Sequence, residues 1–241
     1  MILLVDVGNS AIKWAVLKQN KLSTQKSVLY KCNILEQILT KEWQVIDKPE
    51  SIWISNVAGP QIKQIIIDWA IKYWHCKPNF VKTTEYDCGV RNGYKNPEQL
   101  GIDRWLALIG AYKLEKGTLC IVDCGTAVTV DILTINGQHL GGIIAPGLNV
   151  MRTSLSQSTY QLENCNRSLE KFSLANETND GIILGTSYAV LGLLEYIMNG
   201  LNEQPKLILT GGDAVVIQPF LSRTYKYIPD LVLQGLKTVL S

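Results

Sequence analysis

Apolar and polar positions define the first element clearly. Leu3–Leu17, LLVDVGNSAIKWAVL, reads as two short apolar strands joined by a tight turn at Gly8-Asn9-Ser10. Asn and Gly tolerate the backbone angles that a hairpin turn demands. Asp6 closes the first strand and Lys13 lies in the second. Further on, the pattern predicts a strand at Lys26–Tyr30, a short helix at Asn33–Thr40 and a strand at Ser51–Ser55. Ile62, Ile65, Ile66, Trp69, Ala70 and Tyr73 recur at helical spacing, so Gln61–Trp74 is predicted as a helix with one apolar face. Trp69 and Trp74 belong to the core on this reading. A strand at Asn79–Lys82, a polar surface loop at Gly89–Gly101 and a helix from Ile102 to about Glu115 follow, with Asp103 as N-cap and Gly117 as stop. Strands alternating with helices after an opening hairpin predict an α/β layer fold.

The second half repeats the opening. Cys120–Leu133, CIVDCGTAVTVDIL, is again an apolar run, an Asp, a Gly turn and a second apolar run. Asp6-Val7-Gly8-Asn9-Ser10 aligns with Asp123-Cys124-Gly125-Thr126-Ala127 about half a chain later. That period is too long for a solenoid. It predicts two similar domains, 1–116 and 117–241, each presenting one acidic glycine turn. Backbone N–H groups of such turns suit phosphate oxygens. A third glycine turn, Thr210-Gly211-Gly212-Asp213, follows the predicted strand Lys206–Leu209. Between them lie a glycine-flanked strand ending at Pro146-Gly147, a helix at Leu148–Ser156, a polar loop at Asn164–Ser168 and a long apolar helix at Ile182–Leu201. A terminal strand and helix complete the second domain.

Composition narrows the function. A net charge of +2, from 23 basic and 21 acidic residues, offers no electrostatic case for nucleic acid or a membrane surface. The six cysteines contain no Cys-x-x-Cys pair. Cys120 and Cys124 would lie about 13 Å apart along a strand, too far for a disulfide. Buried thiols in a reducing cytosol are expected. Two histidines make a His-based zinc site an unpromising reading. The start of the chain lacks the basic region and cleavage site of a signal peptide. Ile182–Leu201 nearly reaches membrane-spanning length, yet Glu195 and Asn199 interrupt it, so a core helix buried on most faces is expected.

Four segments, taken in order, carry a resemblance. Asp6-Val7-Gly8-Asn9-Ser10, then Tyr94 to Arg104 (YKNPEQLGIDR), then Asp123-Cys124-Gly125-Thr126-Ala127, then Gly142-Ile143-Ile144-Ala145-Pro146-Gly147 together resemble type III pantothenate kinase. The Gly-x-Asp-Arg segment between two Asp-x-Gly turns is the most specific part. An Asp-x-Gly turn by itself is shared with sugar kinases, actin-like ATPases and acetate-type kinases.

The resemblance implies two ribonuclease-H-like domains of the acetate and sugar kinase, Hsp70 and actin superfamily, with an interdomain cleft. It implies a cytoplasmic homodimer that phosphorylates pantothenate with ATP, the first step of coenzyme A synthesis. On it, Asp6, Val7, Gly8, Asn9, Ser10, Ala11, Ile12 and Lys13 form a phosphate loop, and Thr126 contacts the nucleotide. Tyr94, Gly101, Ile102, Asp103 and Arg104 line the pantothenate site, with Asp103 as general base. Asp123 holds potassium or ammonium, Asp6 holds magnesium with ATP, and Thr178 reaches substrate across the dimer interface. Departures are small: Gly181 stands where Ala is usual, and Ser10 where Thr is common. Glu177-Thr178 replaces an Asn-Thr pair. Without the resemblance, Asp103 reads as an ordinary helix cap, Arg104 as a solvated first-turn charge, and Lys13 equally as a solvated strand lysine. Competing readings are another small-molecule kinase of the superfamily, a non-catalytic regulator, or an actin-like assembly protein.

Overall fold

The computed structural model describes residues 1–157 and 173–241, with side chains at 156 and 157 outside the description. The loop expected at 164–168 lies outside the described residues. The chain forms two compact units: Met1–Leu114 with Asp230–Ser241, and Glu115–Pro229.

The first unit opens with β1 (Ile2–Val7), β2 (Ala11–Lys18), β3 (Lys21–Leu22) and β4 (Lys26–Leu29). Then come α1 (Leu35–Trp43), β5 (Ser51–Asn56), α2 (Pro60–Trp74) and β6 (Asn79–Phe80). Strand β1 pairs antiparallel with β2 and parallel with β5, and β5 pairs parallel with β6. The alternation of side chains across the sheet sends Leu3, Val5, Val7, Ile52 and Ile54 toward α1 and α2. There Trp43 stacks on Trp74 at 5.6 Å, and Trp69 meets both edge-on. The tryptophans are thus core. Tyr73 departs from the expected apolar face, being 38 % exposed.

Residues 86–91 differ from expectation. Part of this stretch was expected as loop, but β7 (Tyr86–Asp87) and β8 (Val90–Arg91) pair antiparallel. The turn places Cys88 and Gly89 at positive φ. Helix α3 (Ile102–Leu114) follows and ends the first segment of this unit.

The second unit holds β9 (Leu119–Cys124), β10 (Ala127–Leu133), β11 (His139–Pro146), α4 (Leu148–Gln157), α5 (Thr178–Asn199), β12 (Lys206–Thr210), α6 (Ala214–Ile217) and β13 (Tyr225–Tyr227). Its sheet runs β11-β10-β9-β12-β13. As β1 does, β9 pairs antiparallel with the next strand and parallel with a later one. The sequence repeat is therefore a repeat of topology. Cys120 and Cys124 are free thiols, and burial pushes each up to about 12.

Two expectations are corrected. The last helix, α7 (Leu231–Val239), belongs to the first unit, not the second. It packs on α3 so closely that a Cβ on Gly235 would overlap the Leu106 backbone. Helix α5 is not buried on most faces. It is long and apolar enough to cross a membrane, but only 39 % of that apolar window is buried. Ile183, Ser187, Val190, Leu194 and Met198 form one inward stripe at helical spacing.

Candidate functional site

Asp6 stands next to the end of β1, opposite Lys13 on β2 and Ser55 on β5. It is nearly buried, at 6 % exposure. The following turn is closed by Gly8 N–H donating to Ala11 O at 3.0 Å. Tyr30 holds that turn from outside: its hydroxyl donates to Gly8 O at 2.7 Å, and its N–H donates to Ser10 O at 3.1 Å. Tyr30 lies beyond β4, so it serves as an anchor rather than as the strand residue expected. Burial raises its phenol pKa. An aromatic side chain reaching back to a turn has no local sequence signal, and sequence reasoning missed it.

The Tyr94 loop is ordered by Asn92, another residue that reasoning missed. Its side-chain amide donates to Thr84 O and Pro97 O, and its Oδ1 accepts from Tyr94 N–H at 3.0 Å. The loop delivers Gly101, whose carbonyl accepts from Trp105 N–H. Gly101 is thus the N-cap of α3, and Asp103 sits one residue inside the helix, not at the cap as expected. Asp103 Oδ1 accepts from Arg104 N–H at 2.8 Å. A Cβ on Gly101 would come within 2.7 Å of that oxygen, at the tip of the Asp103 side chain.

Arg104 is not a solvated charge. It is buried, donates from Nη1 to Tyr94 Oη at 2.8 Å, and stands 5.6 Å from the Tyr94 ring centroid. The structure therefore joins Tyr94, Gly101, Asp103 and Arg104 into one group. Val81 N–H donates to Ile54 O, and Thr83 Oγ1 to Leu100 O. These bonds run from the end of β5, beside Asp6, to the start of α3.

In the second unit three glycine turns converge. Gly125 N–H donates to Ala127 O, so this turn is one residue shorter than that of Gly8, which bonds Ala11. The expected alignment of Ser10 with Ala127 is accordingly off by one after the glycine. Gly147 N–H donates to Thr126 O at 3.0 Å, and a Cβ there would overlap the Gly125–Thr126 backbone. Gly211, at φ +88°, has no room for a Cβ between Cys124 O and Asp123 Oδ1. Asp213 N–H donates to Cys124 O at 2.9 Å. Asp123, Thr126, Gly147, Gly211 and Asp213 are thus neighbours.

Asp213 and Arg152 complete this cluster, and neither carried a role in the sequence reading. Burial holds the Asp213 carboxyl above its usual range, against the opposing pull of Arg152. Burial likewise lowers Arg152. Arg152 Nε donates to Thr186 Oγ1 at 3.1 Å on α5. Thr178, the exposed first residue of that helix, lies about 12 Å along the axis from Thr186. The structure does not bring Thr178 into the glycine-turn cluster.

Among solved structures, a putative 2-dehydro-3-deoxygalactonokinase from Sinorhizobium meliloti matches with a TM-score of 0.65 at 12 % identity, covering 99 % of this chain and 98 % of its own. A conserved putative Baf family transcriptional activator from Campylobacter jejuni matches at 0.62 and 25 % identity, covering 99 % and 96 %. With two sheets of repeated topology, the fold is the expected one of two ribonuclease-H-like domains, shared with these structures.

Sequence likeness narrows this further. A type III pantothenate kinase of Nitrosococcus oceani is 36 % identical over 248 residues, covering 99 % of this chain and 93 % of its own. One from Dichelobacter nodosus is also 36 % identical, covering 100 % and 98 %. Residues 2–200 match the type III pantothenate kinase family profile, and the chain belongs to that family.

Proposed function

We propose that this chain transfers the γ-phosphoryl group of ATP to the terminal alcohol of pantothenate, the first step of coenzyme A synthesis. Family membership across nearly the whole chain is the observation that carries this reading. The chemistry demands mainly positioning and charge stabilisation. Arg104, buried against Tyr94, suits the carboxylate of pantothenate. Asp103 orients the alcohol and accepts its proton late, as oxygen bonds to phosphorus and the bond to the β-phosphate oxygen breaks toward ADP. A first-turn carboxylate is kept ionised by the helix terminus, so it can accept that proton but is a weak base. Asp6 through Lys13 and Thr126 bind the nucleotide, Lys13 as a point charge on phosphate.

The donor sets fit the ions this reaction uses. Asp6, a nearly buried carboxylate beside the Gly8 turn, suits magnesium, which prefers one or two carboxylates, substrate phosphates and waters. Asp6 would hold it, neutralising triphosphate charge. Asp123 would hold potassium or ammonium, a carboxylate at the end of an apolar strand being suited to a cation partner.

The protein works as a cytoplasmic homodimer, with Thr178 acting toward the partner's substrate. Supporting this, the edge strand β11 exposes Leu140, Ile143 and Ile144, and nearby α4 exposes Val150 and Leu155. Apolar edges of this kind are usually covered. The decisive experiment incubates purified protein with ATP, magnesium, potassium and pantothenate beside a panel of sugars and small hydroxy acids. Mass-spectrometric detection of phosphopantothenate alone is expected. Phosphorylation of another acceptor, or of none, would overturn the reading.

A further inference from the structure

The row of side chains across the first sheet runs Lys13, Asp6, Ser55, one from each of three neighbouring strands. In-register neighbours project to the same face, with strands about 4.8 Å apart. The opposite face carries Val5, Val7, Ile12 and Ile54, all core. Ser55 is fully buried, and its hydroxyl has no hydrogen-bond partner. A buried, unmade hydroxyl bond destabilises a protein, and an alanine there would not carry that cost. The next residue cannot take its place. Asn56 is committed to its own turn, donating to Gly59 O and accepting from Ala58 N–H.

We propose that Ser55 is a positioning residue for Asp6: its hydroxyl turns its proton onto the Asp6 carboxylate and fixes that carboxylate's orientation when magnesium–ATP binds. This rests on the reading of Asp6 as the magnesium-side carboxylate. A carboxylate facing a metal–phosphate group works best when a neighbouring donor holds its rotation, and losing such a donor weakens metal binding about 10- to 100-fold. Ser55 is the hydroxyl in the same row, one strand away.

The test measures binding and stability separately, by calorimetric titration and thermal melting, on parent, Ser55→Ala and Ser55→Thr proteins. Ser55→Ala is expected to bind ATP with magnesium about tenfold more weakly, and ATP with EDTA as the parent does. Its melting temperature is expected to equal or exceed the parent's, because an unsatisfied polar group is gone. Ser55→Thr, which restores the hydroxyl, is expected to recover most magnesium-dependent affinity. Unchanged magnesium–ATP affinity in Ser55→Ala overturns the proposal, as does an equal loss with and without magnesium. So does a lowered melting temperature without any binding change. If the parent itself gains no ATP affinity from magnesium, the reading of Asp6 fails first and the proposal with it.

Discussion

Arg104 Nη1 donates to the Tyr94 hydroxyl at 2.8 Å, joining a loop residue to the first turn of α3. The pair is buried enough for its bond to be strong, and Arg104 is only 7 % exposed. Tyr94→Phe removes this acceptor from the guanidinium. Its KM for pantothenate is expected to rise about tenfold, the worth of one hydrogen bond to a charged group. Arg104→Ala should raise KM more, about 100-fold, and lower kcat far less. Steady-state kinetics against pantothenate at saturating ATP check both. Equal loss in kcat and kcat/KM would instead assign Arg104 to the transition state.

Asp103→Asn keeps the shape and the bond from the Arg104 N–H while losing the proton acceptor. kcat is expected to fall by about 10²–10⁴ with ATP affinity and melting temperature little changed. A variant within a fewfold of the parent would remove Asp103 from the chemistry.

The glycine turns of the second unit make a matched pair of predictions. Gly211→Ala puts a methyl group against Cys124 O and Asp123 Oδ1 in a backbone conformation that alanine resists. It is expected to destabilise the protein by about 2–4 kcal/mol. Gly212 has open space around it, and Gly212→Ala should cost less than about 1 kcal/mol. Urea unfolding of the two variants separates close packing from a general intolerance of the loop.

Asp213 predicts a pH dependence. Burial raises its folded pKa above 3.8. The folded state then holds its proton to higher pH than the unfolded state does. Stability contributed by the protonated form is complete below about 3.8 and is lost as pH rises through the folded value. Asp213→Asn should flatten that fall and leave the protein at least as stable at pH 7. Glu195 works the other way: its bonds to Arg223 lower its pKa, so its contribution is present above 4.5 and fades on acidification. Melting curves of parent and Asp213→Asn between pH 4 and 7 test the sign.

Replacing potassium by sodium at constant ionic strength is expected to cut activity, while melting temperature without nucleotide stays nearly constant. Indifference to the ion would remove Asp123 from cation binding. An Asp123→Asn variant that still responds to potassium would do the same.

Much of this protein was already written in local pattern. The two acidic hairpins, the β5–α2 unit and α3 follow from apolar periodicity and turn residues, whose effects act over a few positions. The Gly-x-Asp-Arg segment pointed to the chemistry only through its resemblance to a known family; its local pattern by itself reads as the start of a helix. What required the tertiary structure was every partnership between distant residues. Tyr30 on the Gly8 turn, Asn92 under the Tyr94 loop and Gly211 against Asp123 are contacts whose two ends carry no local trace of each other. The return of α7 to the first unit is of this kind too, since an amphipathic helix can cover any matching apolar face. Burial decided the rest: the Arg104 that sequence leaves open as a solvated charge is enclosed, because the Tyr94 loop folds over it.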